Sequence, residues 1–388
     1  MSKNKIYLDY ASTTPIDPKV MKIMLPYLSE KFGNTMSLHS FGQEAKLALD
    51  ESREKVANLI GAKNAEIVFT GSATESNNLA LKGVVLANKN KGRHIIISSI
   101  EHPCIVESAK WLEKQGFEID KLKVDKCGLV DQKEVKKLIK KDTILVSVMH
   151  ANNEIGTIEP IKEIGEICKK RGIFFHTDAA QTLGKIPIDV NKMNIDLLTA
   201  SSHKMYGPKG VGFLFIREGI RVEPILHGGG QEFGLRSSTV NVADIVGFAK
   251  ACEICQKSMK KEERRLIKLR DKLVFKILKK VEFSKLNGHP KKRLPNNINF
   301  SFSFIEGEAL VIQLDLLGIA ASTGSACSSA KLEPSHVLLA IGLRPQEAHG
   351  SLRLSLGRWT TEKEIDKVFK VLVKAIKRLR KISPFKKI

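Results

Sequence analysis

Two stretches, Ile173-Phe-Phe-His-Thr-Asp178 and Leu197-Leu-Thr-Ala-Ser-Ser-His-Lys204, decide the fold. Each is a short apolar run that ends in a charged side chain. Such runs suit strands buried on both faces, whose C-terminal ends open onto a ligand crevice. Similar runs occur at residues 66–70, 94–98, 143–149 and 211–216, with helical periodicity between them at 74–87, 132–140 and 161–171. This alternation predicts an α/β architecture with a largely parallel sheet covered on both faces. Polar residues gather just past the strand ends: Gly71-Ser-Ala-Thr-Glu75, His102, Asn152-Asn153, Asp178 and Ser201-Ser-His-Lys204. From about Asn241 the texture changes. A charged helical segment (245–280), a strand (297–303), a helix (307–317), a strand (351–356) and a helix from Thr361 read as a second, smaller α+β domain.

Composition narrows the classes. The chain has 388 residues, 42% of them hydrophobic and 27% charged, which excludes disorder, collagen and low-complexity architectures. Cores above ~250–300 residues normally split, in agreement with two domains. Lys and Arg number 64 against 42 Asp and Glu, a net charge of +22. A surplus of this size can attract nucleic acid. It is spread along the chain, however, and mixes with Glu in runs such as Lys260-Lys-Glu-Glu-Arg-Arg265, the pattern of a solvated helix face. RNA-binding aromatic motifs and zinc-finger spacings are missing. The six cysteines do not make a disulfide framework in so long a chain. Met1-Ser-Lys-Asn-Lys5 leads into Ile6-Tyr-Leu-Asp9 without an export segment, and no run approaches ~18 apolar residues. A cytoplasmic protein, off the membrane and with its cysteines working as thiols, is the expectation.

Several residues carry chemistry. The turn Gly71-Ser72-Ala73-Thr74-Glu75 could hold a phosphate on its free amides and hydroxyls, although such openings usually cap helices and this one lacks a P-loop ending. A carboxylate at Asp178, ending an apolar strand, must pair with a cation: a protonated ring nitrogen of a ligand, or a buried Arg or Lys. A partly desolvated lysine at Lys204 can form a Schiff base. The pairing of the two at strand ends raises the significance of both. Cys327 lies in Ala320-Ala-Ser-Thr-Gly-Ser-Ala-Cys-Ser-Ser-Ala330, among small residues that suit a travelling thiol rather than a packed one. Cys252 and Cys255 fall mid-helix without a second pair, and read as structural. His102-Pro103-Cys104 lacks the further ligands of a zinc site.

The chain resembles the cysteine desulfurases of the NifS/IscS type, class V aminotransferase relatives of pyridoxal-phosphate fold type I. The resemblance runs from Tyr7-Leu-Asp-Tyr-Ala-Ser-Thr-Thr-Pro15 to about Pro384. Carrying it are Gly71-Ser-Ala-Thr-Glu-Ser-Asn-Asn78, Glu101-His102, Asn152-Asn-Glu-Ile-Gly156, His176-Thr-Asp-Ala-Ala-Gln181, Ser201-Ser-His-Lys-Met-Tyr-Gly-Pro-Lys-Gly210, His227-Gly-Gly-Gly-Gln-Glu232, Arg236-Ser-Ser-Thr239, Gly324-Ser-Ala-Cys327 and Arg353-Leu-Ser-Leu-Gly-Arg358. It departs at Thr35-Met36-Ser37-Leu38-His39, where relatives carry Pro-Ser-Ser before the His. It also ends at Ile388 without the longer tail by which some members dock a scaffold protein.

The resemblance implies a fold with a mostly parallel seven-stranded sheet in a large pyridoxal-phosphate-binding domain (17–250). Residues 1–16 and 251–388 would form the small domain carrying the Cys327 loop. Lys204 would hold the cofactor and abstract the substrate Cα proton. Asp178 would meet the pyridinium nitrogen, Gln181 the ring phenolate and His102 the ring face. Ala73 and Asn153 would also bind the cofactor, and Thr74, Ser201 and His203 would grip its phosphate, with Thr239 reaching in from a second subunit of a homodimer. Asn34, Asn153 and Arg353 would border or bind the carboxylate of L-cysteine. Cys327 would take the sulfur as a persulfide and pass it to an acceptor, such as an iron–sulfur scaffold protein or the machinery of tRNA thiolation. The alternatives are another enzyme of the same fold type, a selenocysteine lyase or an aminotransferase, and a basic nucleic-acid-binding protein.

Overall fold

The strands in chain order are β1 (Ile6–Tyr7), β2 (Ile67–Thr70), β3 (His94–Ser98), β4 (Glu118–Leu122), β5 (Thr143–Ser147), β6 (Phe174–Asp178), β7 (Leu197–Ser201), β8 (Gly212–Ile216), β9 (Ser284–Leu286), β10 (Asn297–Phe302), β11 (Ile319–Ala320) and β12 (Ser351–Ser355). They come from a computed structural model that describes residues 5–324 and 333–384, so Cys327 lies outside the described residues. The central sheet has seven strands in the order β2-β8-β7-β6-β5-β3-β4. Neighbours are parallel from β7 to β4, and β8 runs antiparallel to both β7 and β2.

Six of these strands lie where the apolar runs place them. The seventh, β4, does not announce itself. Glu118-Ile-Asp-Lys-Leu122 carries charge at alternate positions, and only Leu122 is fully buried. A charged strand at the sheet edge blocks further pairing with another chain. Its place in the sheet is set by parallel pairing to β3 rather than by its own hydrophobicity.

Alternation along the strands divides the core. Ile96, Val146, Phe175, Leu198, Phe213 and Phe215 face one cluster, whereas Ile95, Ile97, Leu145, Leu197, Leu214 and Ile216 face the other. This is the period-2 consequence of the pleat. At ~2–3 kcal/mol for each fully buried large apolar side chain, these two faces supply most of the drive to fold.

The segment expected as one helix at 74–87 is helical throughout but not uniform. It runs as an α-helix (Ala73–Asn78), a π-helical segment (Leu79–Gly83) and a further α-turn (Val84–Ala87). At Gly83 a Cβ would stand 2.6 Å from both Glu223 O and Val222 Cγ1. The missing side chain of Gly83 thus makes room for the chain at 222–223, whose Glu223 N–H donates to Gly83 O at 2.9 Å. Such π-helical segments occur next to functional sites.

The 39-residue helix Val242–Lys280 belongs to both parts of the molecule. Its first half packs Ile245, Phe248, Cys252 and Cys255 into the core beneath the central sheet. Its second half packs Leu266, Leu269, Leu273 and Ile277 against β10, β12 and the helix Glu362–Ile382, the last opened by a Thr361–Glu364 capping box. A three-stranded sheet, β12-β10-β9, sits in this second cluster, and β1 pairs with β11 beside it.

Glu159 gives the fold a measurable pH signature. Its Oε2 accepts from Val130 N at 2.9 Å, while Oε1 is buried without a partner. Burial, opposed by that hydrogen bond and reinforced by Asp125, pushes its carboxyl from 4.5 up to about 8. The folded chain therefore holds a proton that the unfolded chain releases above 4.5, and stability is lost as pH rises through this window. A Glu159→Gln variant, which keeps the neutral shape, should match the native chain at pH 4. It should gain on it between pH 4.5 and 8 by about 1.4 kcal/mol per pKa unit. Parallel urea midpoints across that range would contradict this.

Candidate active site

The ends of β3, β6 and β7 converge. Past β3, His102 caps the helix Pro103–Lys114, its Nδ1 accepting from Cys104 N at 3.3 Å. Asp178 closes β6, where its Oδ1 accepts from Ala180 N at 2.8 Å and its Oδ2 from Asn77 Nδ2 at 2.7 Å. Asn77 comes from the helix after β2 and is fully buried. Past β7, a 3-10 turn (Ser202–Lys204) carries Lys204, whose Nζ donates to Ala11 O and Ser12 O, both at 2.7 Å. Gln181 Nε2 donates to the same Ala11 O at 3.0 Å. The N-terminal segment is thus a strap over the end of the sheet. Thr13 Oγ1 lies 3.1 Å from His203 Nδ1, and the Thr14 amide donates to His203 O at 3.0 Å.

Electrostatics bind the groups together. Burial lowers the His102 imidazole below its ordinary value; Asp178 raises it, and Lys204 and His336 lower it further. His102 is accordingly neutral near pH 7. Burial, with Lys204, Lys209 and Lys185 adding to it, pushes His203 down to about 4. Glu101, completely buried beside His102, is pushed well above the carboxylate range by burial, and its Oε1 accepts from Met149 N at 2.6 Å.

Arg353 approaches from the other part of the molecule, on β12. Its guanidinium is 2% exposed and donates to Asp9 Oδ1 at 2.9 Å, Ser12 Oγ at 2.7 Å and Asn153 O at 3.0 Å, with Nε buried and unpartnered. Two of these partners lie in or beside the strap. The same segment therefore touches Lys204 and Arg353.

The described residues accordingly gather Lys204, Asp178, His102, Gln181, His203, Asn153 and Arg353 around one end of the sheet. Ser201 is buried at the end of β7. Ala73 and the exposed Thr74 open the helix after β2, where Ser72 caps by accepting from Glu75 N at 3.2 Å. Thr239 is exposed. Asn34 is also exposed, its Oδ1 accepting from Met36 N at 3.0 Å. Among the described residues, no group of three or more His, Cys, Asp and Glu side chains is placed to hold a metal ion. Nor is any helix among them long and apolar enough to cross a membrane. Cys252 and Cys255 are buried in the core, and burial raises both thiols.

Sequence reasoning left Asn77, Cys104, Asp9 and the carbonyls of Ala11 and Ser12 without roles. Asn77 lies 101 residues from Asp178, and a carbonyl has no side-chain signature.

The described residues thus set an amine, a carboxylate and an imidazole at the carboxyl ends of a mostly parallel sheet, the edge at which open α/β sheets bind ligands. The chain belongs to the aminotransferase class-V family, which matches residues 6–368. That membership implies pyridoxal 5′-phosphate as cofactor. The chain is 53% identical over 384 residues to the "Cysteine desulfurase IscS" of Dictyoglomus turgidum, covering 99% of this chain and 98% of that one. A solved NifS-like protein superposes with a TM-score of 0.91 at 39% identity, covering 97% of this chain and all of its own. A second, described as SspA in complex with cysteine, gives 0.80 at 37% identity, covering 92% of this chain and 100% of that one.

The donor set fits that cofactor. Asp178 would offer a carboxylate to a ring nitrogen, Lys204 an amine to a carbonyl carbon, and Thr74, Ser201 and His203 hydroxyl and imidazole groups to a phosphate. The unpartnered Arg353 Nε fits a further anion, such as a substrate carboxylate.

Proposed function

We propose that this protein is a cysteine desulfurase that uses pyridoxal 5′-phosphate to convert L-cysteine to L-alanine and carries the released sulfur as a persulfide on Cys327. The observation that carries this reading is the placing of Lys204, Asp178 and His102 past the carboxyl ends of β7, β6 and β3 on one edge of the sheet, with Arg353 tied to the same strap as Lys204. The relatives' name and the neighbour holding cysteine support it. When bound, the cofactor supplies an electron sink for the bonds at the amino acid's α-carbon.

The chain's own residues do the rest. Ala73, Thr74, Ser201 and His203 would hold the phosphate, joined by Thr239 of the second protomer in a homodimer. Asp178, oriented by Asn77 and the Ala180 amide, would keep the ring nitrogen protonated. Gln181 would serve the ring oxygen, and His102 would stack on the ring. Arg353, Asn153 and Asn34 would receive the substrate carboxylate. Lys204, whose amine would hold the cofactor, would take the Cα proton. The Cys327 thiolate attacks the substrate sulfur: a sulfur–sulfur bond forms as the Cβ–S bond breaks, and the carbon that loses sulfur gains a proton, aided by His102. L-cysteine plus one thiol thus yields L-alanine plus one persulfide, with no external oxidant.

The clusters on the two faces of the central sheet and the separate one around β10 and β12 support a large unit at 17–250 and a small one comprising 1–16 and 251–388, the first core reaching along the shared helix to Cys255. We assign the protein to the cytoplasm, handing sulfur to an acceptor for iron–sulfur cluster assembly or tRNA thiolation. Given L-cysteine and a reductant, the holoenzyme should release sulfide and alanine one for one. Alanine formation from L-selenocysteine alone would point to a selenocysteine lyase, and a keto-acid product to an aminotransferase.

A further inference from the structure

We propose that Asn77 and Cys104 are positioning residues that hold His102 in the tautomer carrying its proton on Nε2, linking the imidazole to the carboxylate of Asp178. Geometry alone fixes the tautomer itself. The use made of the proton rests on the desulfurase reading.

The hydrogens can be counted. The Asn77 amide nitrogen has two, and both are placed: one toward Asp178 Oδ2 at 2.7 Å, the other toward Cys104 Sγ at 3.2 Å. Turning the amide over would set Asn77 Oδ1 against an acceptor-only carboxylate, so the orientation is determined. The sulfur, accepting from Asn77, keeps its own hydrogen for His102 Nδ1, which lies 3.0 Å away. The backbone N–H of Cys104 donates to the same Nδ1 at 3.3 Å. Two donors converging on Nδ1 require a lone pair there, and the proton of the neutral ring is left on Nε2. Nε2 is then the ring atom from which His102 can give a proton in the final step.

The surroundings keep the thiol able to donate. Burial pushes Cys104 up to about 12; Asp178 and Glu101 raise it, and the hydrogen bonds from Asn77 and Thr74 lower it. Across the working pH range it is a thiol, not a thiolate, and not a competitor of Cys327 for sulfur. The groups facing His102 are Asp178, Lys204 and His336, of which the first favours the charged ring and the other two oppose it. Asp178 therefore feels the pair from both sides. Its Oδ2 is oriented by Asn77, whose other hydrogen engages the sulfur that serves His102.

The test is nitrogen-15 spectroscopy of histidine-labelled holoenzyme, a readout independent of turnover. In the native chain, His102 Nδ1 should resonate as unprotonated and Nε2 as protonated, and the ring should resist titration at its ordinary value near 6.5. In Cys104→Ala the tautomer ratio should fall about fivefold, the worth of one buried hydrogen bond, with the titration midpoint raised. Turnover should fall by a comparable factor through kcat, with KM kept. Cys104→Ser, which retains a donor, should restore all three. Asn77→Ala, should it fold, should mimic Cys104→Ala and also move the cofactor's visible band through Asp178. A native spectrum with Nδ1 protonated, or a Cys104→Ala spectrum identical to the native one, overturns the proposal. A native enzyme that fails to release sulfide overturns the functional reading and leaves the tautomer measurement standing.

Discussion

The Lys204→Ala protein should be purified colourless and should turn over L-cysteine at least ~10⁴-fold more slowly than the native chain. The size of the loss follows from the two tasks of one amine. On the proposed reading it would both attach the cofactor and move the Cα proton. Both need an amine delivered to one point, and the structure explains the delivery: Nζ is held between Ala11 O and Ser12 O at 2.7 Å each. A methyl group leaves both carbonyls without this donor, so a modest stability loss of ~1–2 kcal/mol should accompany the chemical one. Absorbance spectra after dialysis, together with sulfide release, make the measurement. A variant that keeps its yellow colour and turns over within tenfold of native would refute the assignment. Lys204→Arg should do no better than alanine, because a guanidinium stays charged and cannot act as the amine nucleophile.

Cys327→Ser should separate binding from sulfur transfer. The variant should remain yellow and respond spectrally to L-cysteine, yet release sulfide at least ~10³-fold more slowly, since a hydroxyl is a far weaker nucleophile than a thiolate and forms no persulfide. Its folding should be unaltered, because the exchange is nearly isosteric. Sulfide release at native rate would exclude Cys327 as the carrier and return the choice to the other enzymes of this fold type. The contrast between the two variants is the sharpest feature: one loses colour and activity together, the other activity alone.

How far these residues could be read beforehand depends on where their roles originate. Asp178 and Lys204 are conspicuous because a charged side chain closing an apolar run is costly unless something answers it. Their strands were legible because each opens on an apolar pair, Phe174-Phe175 and Leu197-Leu198, within a short run between helical segments. β4 was not, since its placement depends on β3 and its side chains are those of a solvated edge. Arg353 entered through family resemblance. Its partners Asp9 and Ser12, more than 300 residues away in the chain at separations of 344 and 341, are a product of tertiary approach that no local pattern encodes. Asn77 and Cys104 make the same point more strongly. In sequence, one is a polar residue in a helix and the other a cysteine after a proline. Only the meeting of two helices at Asp178 and His102 gives them work.

The amino-terminal strap has a consequence for anyone editing this molecule. The oxygens that grip the Lys204 amine belong to the main chain, so a residue-by-residue substitution scan would register the side chains of Asp9 and Ser12 on Arg353 but leave these oxygens in place. What fixes them is pairing: β1 lies parallel to β11 with Ile6 opposite Ile319, and the Ala11 amide donates to Ser355 Oγ at 2.8 Å. A slip of one residue on that two-rung ladder would shift both oxygens by about 3.3 Å and swap the direction in which alternate carbonyls point. Insertions, deletions and bulky fusions near residue 6 are therefore expected to injure the enzyme at a distance, through main-chain atoms that no side-chain exchange removes.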